Sequence, residues 1–89
     1  MASFLARVYV SLKPTVNDPQ GLTIADGLRS LGFSEVEGVR AGKYIEVRLS
    51  AASADEAHAR VDAMCDKLLA NPVIETYRFE VEELISTAG

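Results

Sequence analysis

The sequence has one cysteine, one histidine, no tryptophan and only three prolines. One cysteine excludes an intramolecular disulfide, and a zinc site built from this chain's own Cys and His lacks ligands. Positive charge is scarce as well. Nine Lys and Arg stand against 13 Asp and Glu, for a net charge of −4. Binders of nucleic acid or of anionic membranes need a basic face, so neither is expected as a partner. No run nears the ~18 apolar residues of a membrane span. The start Met1-Ala2-Ser3-Phe4-Leu5-Ala6-Arg7 lacks the charged head and long apolar core of a signal peptide. A cytoplasmic location is expected.

What is present reads as one small globular domain. Of 89 residues, 48% are hydrophobic and 25% charged, too apolar for a disordered chain. A chain this short buries only about two-thirds of its unfolded surface, so it gains from a partner. Phe4, Ala6, Val8, Val10 and Leu12 alternate with Arg7, Tyr9, Ser11 and Lys13, the period of a strand with one buried face. Asp18 and Pro19 then form a helix start, a side-chain acceptor followed by a residue that needs no N–H. Leu22, Ala25, Leu28 and Leu31 follow at helical spacing, and Gly32 marks the stop.

Residues 34–50 read as a hairpin, with a bulge at Gly38 and a turn at Arg40-Ala41-Gly42-Lys43 where Gly42 takes a positive φ. Ile45, Val47 and Leu49 point inward on the return strand. Ser53 and Glu56 have capping-box spacing. Ala57, Val61, Met64 and Leu68 form the stripe of a second helix that ends near Ala70, before Pro72. Tyr77, Phe79 and Val81 share a face of the last strand. The order β-α-β-β-α-β predicts an α+β, ferredoxin-like fold: a four-stranded antiparallel sheet with helices near 19–31 and 54–70 on one face.

Chemistry-bearing residues do not converge in this pattern. His58 and Cys65 share an azimuth but lie ~10.5 Å apart along one helix, beyond hydrogen-bond reach. Asp55, Asp62 and Asp66, interleaved with Arg60 and Lys67, read as a solvated helix face. Gly21, Gly27 and Gly32 are too dispersed for a phosphate loop. No catalytic, cofactor-binding or metal-ligating residue is assigned. The best candidates for partner contact are Arg40, Gly42 and Lys43 at the turn, and Asp18 and Gln20 at the first helix start. Two cations at a projecting tip in an acidic protein suit a charged partner surface.

Three stretches carry a family resemblance. They are Asp18-Pro19-Gln20-Gly21, then 39–46 (Val39-Arg40-Ala41-Gly42-Lys43-Tyr44-Ile45-Glu46), and 65–75 from Cys65-Asp66-Lys67 through Asn71-Pro72-Val73-Ile74-Glu75. In this order and length the chain resembles the PurS family, small subunits of phosphoribosylformylglycinamidine synthase. It departs at Gly27, where alanine is expected, and in a short tail. The resemblance implies one PurS-like domain at 1–85 with the tail at 86–89. It further implies a non-catalytic subunit that pairs with itself, as a dimer or dimer of dimers, and bridges a glutaminase subunit and a large synthetase subunit. The complex then uses ATP, magnesium and glutamine, none held by this subunit, and this subunit assists ammonia transfer. The residues by themselves leave two other classes open, a ferredoxin-like regulatory module for a small ligand and an acyl-phosphate hydrolase.

Overall fold

Alternation in the first segment produces the strand it predicts, and that strand becomes the centre of the sheet. In the computed structural model, which describes residues 1–85, β1 (Ala2–Leu12) lies between β2 (Gly42–Ala51) and β3 (Glu75–Leu84), antiparallel to both. Val8 stands opposite Ile45 on one side and Phe79 on the other. The expected tail at 86–89 lies outside the described residues.

Two helices connect the strands, α1 (Pro19–Ser30) and α2 (Ala54–Met64). Ser53 caps α2, its Oγ accepting from Glu56 N at 3.1 Å. At its far end α2 widens into a π-helical turn over Cys65–Leu69, closed by Ala70 N donating to Cys65 O at 3.0 Å. Gly32 ends α1 with φ 102°, the left-handed conformation a glycine stop provides.

The core lies between the sheet and α2. Phe4, Ala6, Val8 and Val10 are buried on one face of β1, against Ala57, Val61 and Cys65. Ile45, Val47 and Leu49 flank them from β2, and Tyr77, Phe79 and Val81 from β3. Full burial of a side chain such as Val61 contributes about 1.5–3 kcal/mol.

Two expectations need correction. The sheet has three strands, not four, because residues 34–41 are irregular and pair with no strand. Their carbonyls bind a side chain instead: Arg29 donates through Nε to Val36 O at 3.1 Å and through Nη2 to Glu37 O at 3.2 Å. That holds the segment against α1. The helices also do not share the sheet face. α2 contacts all three strands, whereas α1 has no more than marginal contact with any other helix or strand. The radius of gyration is 17.3 Å, against about 13 Å for a compact chain of 100 residues. α1 and the segment after it form an arm that stands off the sheet.

Candidate partner interface

The arm is fastened to the sheet by one carboxylate and one guanidinium. Asp18 caps α1, its Oδ1 accepting from Gly21 N at 2.9 Å. Its Oδ2 accepts from Ala41 N at 2.7 Å, where the chain returns toward β2. Asp18 is only 5% exposed, and the bonds from Gly21 and Ala41 hold its carboxyl below the usual carboxylate range. Arg40 closes the other side. Its guanidinium donates to the carbonyls of Lys13 at 2.9 Å, Val16 at 3.1 Å and Leu12 at 3.5 Å.

Two glycines let these strands of backbone meet. A Cβ on Gly21 would collide with the Val39 carbonyl and the Asp18 carboxylate, and one on Gly42 with the Val10 carbonyl. Gly42 therefore sits in β2 opposite Ser11 for close approach, not at a turn with positive φ. The expected hairpin tip does not exist. Arg40 lies across the junction instead of projecting, and Lys43 Nζ sits 3.5 Å from Glu75 Oε2.

The structure nonetheless brings the candidate contact residues together. Asp18, Gln20, Gly42 and Lys43 line one cavity of about 170 Å³, with Ser11 and Glu75 on its wall. Arg40 adjoins it through Ala41. Asp18 and Arg40 are held by internal bonds; Gln20, Gly42 and Lys43 are exposed. The cavity offers an amide and an ammonium, groups suited to a polar rim contact rather than to bond-making chemistry.

Elsewhere several titratable groups have structural partners. The His58 ring packs 4.6 Å from that of Phe79. Cys65 is buried, and desolvation, aided by Asp62, pushes its thiol pKa up. Tyr77 donates to Asp62 Oδ1 at 2.7 Å, tying β3 to α2, and its pKa is pushed up to about 12 by that bond. The sequence reading missed this pair and placed Asp62 on a solvated face. On the opposite sheet face Arg78 lies 4.1 Å over the Tyr9 ring, whose centroid is 5.2 Å from that of Tyr44. Among the described residues no group of three or more His, Cys, Asp or Glu is placed to hold a metal ion.

Comparison with known proteins settles the family. Residues 5–83 match the model of the family described as PurS, phosphoribosylformylglycinamidine (FGAM) synthase. The chain belongs to the PurS family. It is 49% identical over 82 residues to the phosphoribosylformylglycinamidine synthase subunit PurS of Synechocystis sp., covering 92% of this chain and 82% of that one. The crystal structure of Methanocaldococcus jannaschii PurS, a subunit of formylglycinamide ribonucleotide amidotransferase in the purine biosynthetic pathway, superposes with a TM-score of 0.82. That match has 38% identity and covers 92% of this chain and 99% of that one. A chain in the structure of PurLQS from Thermotoga maritima superposes with a TM-score of 0.81 at 37% identity, covering 94% and 100%. The function is thus that of a PurS subunit of FGAM synthase, in purine biosynthesis.

Among the described residues no helix is long and apolar enough to cross a membrane.

Proposed function

We propose that this PurS chain is a bridging subunit: it pairs with a second copy and holds a glutaminase subunit and a large synthetase subunit together so that ammonia passes between them. The observation that carries this reading is the likeness, along nearly the whole chain, to a chain of the PurLQS structure. The arm that stands off the sheet supports the pairing, because a lone chain so extended leaves its helices half covered. In this reading ATP, magnesium and glutamine are held by the other subunits, the assembly works in the cytoplasm, and the cavity around Gln20 and Lys43 meets one of the larger partners.

Reconstitution tests it. The chain is mixed with the glutaminase and synthetase subunits, and FGAM formation is followed with glutamine and, separately, with ammonium. Omitting this chain is expected to abolish glutamine-driven formation while ammonium-driven formation by the synthetase persists. Full glutamine-driven activity without it would overturn the bridging role.

A further inference from the structure

The turn that joins α2 to β3 is fixed by many bonds and covers none of the core. Its two roots are firm. Ala70 is buried where the π-helical turn closes, and Glu75 pairs with Leu12 at the end of β1. Between them Asn71 Oδ1 accepts from Val73 N at 3.0 Å. Asn71 O accepts from Ile74 N at 3.2 Å and from Glu75 N at 2.7 Å, and Lys13 N donates to Ile74 O at 2.9 Å. Glu75 Oε1 accepts from Asn71 N at 2.7 Å. Every backbone N–H from Asn71 to Glu75 is therefore bonded, and Pro72 has none to satisfy. The side chains carried on this frame are nevertheless in water. Val73 is 76% exposed and Ile74 39%, with Pro72 exposed beside them.

Glu75 joins this turn to the cavity around Gln20 and Lys43. One carboxylate oxygen holds Asn71 N; the other lies 3.5 Å from Lys43 Nζ, on the cavity wall. The Glu75 side chain is only 12% exposed and that of Lys43 60%, so the charge shown to solvent beside the turn is positive. An apolar centre of Pro72, Val73 and Ile74 edged by Lys43 and Gln20 has the layout of a protein contact, apolar within and polar at the rim. Three side chains fall far short of the roughly 800 Å² per partner of a stable pair, so the turn is a knob within a wider contact. Its rigidity favours binding, because no backbone has to be ordered when the contact forms.

We propose that the turn from Asn71 to Ile74 is a rigid knob that enters an apolar pocket, edged by a carboxylate, on the larger subunit that meets the cavity around Gln20 and Lys43. The inference rests on the bridging reading above and assigns the part of this chain that carries the contact. Val73 fills the pocket, while Lys43 faces the carboxylate at its edge and sets the register.

The test titrates the full chain, wild type or variant, into fixed amounts of the glutaminase and synthetase subunits and follows glutamine-driven FGAM formation. Val73→Asp is expected to raise the concentration for half-maximal formation roughly tenfold or more, by forcing a charge into an apolar pocket. Val73→Ile, which keeps the knob, should titrate close to wild type. Asn71→Ala removes the acceptor for Val73 N and frees the turn, so it should shift the titration in the same direction as Val73→Asp. The urea midpoint of the isolated Val73→Asp chain and its mass by light scattering should match wild type, because this side chain is 76% exposed. A Val73→Asp chain that titrates like wild type overturns the knob; if omitting the chain still abolishes glutamine-driven formation, the bridging role stands. An Asn71→Ala chain that titrates like wild type overturns the part assigned to rigidity. A fall in the mass of the isolated Val73→Asp chain overturns the proposal too, because the turn then belongs to the contact between copies. Glutamine-driven formation that needs no chain at all overturns the bridging role and the knob together.

Discussion

The Asp18 carboxylate and the Ala41 amide, 23 positions apart, meet at 2.7 Å. The same carboxylate caps α1 through Gly21 N, so one side chain fixes both where the arm leaves the sheet and where it returns. Asn at this position offers one acceptor and turns an NH₂ toward the other amide. Asp18→Asn is therefore expected to speed hydrogen exchange at Ala41 or Gly21 and to lower the urea midpoint. The pH dependence has a definite sign. The folded pKa lies below the unfolded value of about 3.9, so this stabilisation is whole above that pH and is lost as pH falls through the folded value. The gap between wild type and Asp18→Asn should narrow on acidification. A gap that widens would contradict the assignment.

Two glycines in one helix should respond oppositely to alanine. At Gly21 a Cβ runs into backbone, and Gly21→Ala is expected to cost about 1–3 kcal/mol. At Gly27 a Cβ meets nothing within 4 Å, and Gly27→Ala is expected to gain about 0.4–1 kcal/mol by restricting the unfolded chain. Urea unfolding of both variants beside wild type decides it, and midpoints shifted in the same direction would refute the account.

How far these features were legible varies with their range. The alternation at Phe4, Ala6, Val8 and Val10 and the caps at Asp18 and Ser53 are local, and each appears where the sequence places it. The segment 34–41 misled for a physical reason. Val36 and Val39 look like strand residues interrupted by Gly38, but the carbonyls of Val36 and Glu37 belong to Arg29. A guanidinium that captures backbone carbonyls leaves no periodic trace. Arg40 shows the same limit: in sequence it is a charge beside a glycine, in the fold a bond to three carbonyls. The sequence marks Gly42 and Lys43 for a turn that is absent and Gln20 for the start of the first helix, yet the three converge because β1, β2 and α1 meet there. The function came from the family likeness, since no catalytic constellation could have announced it.

Tyr77 and Asp62 provide a test of the contact between β3 and α2. Tyr77→Phe removes one hydrogen bond and is expected to cost about 1 kcal/mol near neutral pH. In the folded chain Tyr77 keeps its proton to about pH 12, whereas an unfolded tyrosine loses it near ~10. The stabilisation is thus complete below pH ~10 and disappears as pH rises through the folded value. Wild type and Tyr77→Phe should converge in urea midpoint across that alkaline range. A constant difference would mean that the hydroxyl acts through packing alone.

Partner docking at the junction needs variants that spare the clasp. Arg40→Glu would forfeit three carbonyl bonds and set a carboxylate against the same oxygens, so loss of assembly there would only report a damaged fold. Lys43 and Gln20 separate the two effects. Lys43 is 60% exposed on its side chain, and its ion pair with Glu75 contributes at most about 1 kcal/mol. Gln20 is exposed on the first turn of α1. The double variant Gln20→Ala with Lys43→Glu is expected to stay folded, with the pairing of the chain unchanged. If this cavity meets the glutaminase or the synthetase, the variant associates with that subunit roughly tenfold more slowly, and the salt dependence of the rate falls. Glutamine-driven FGAM formation then drops more than formation driven by ammonium, because transfer between subunits is what the docking serves. Unchanged association rates and unchanged glutamine-driven turnover would leave the cavity as the place where α1 is hung from the sheet, with the partners docking elsewhere.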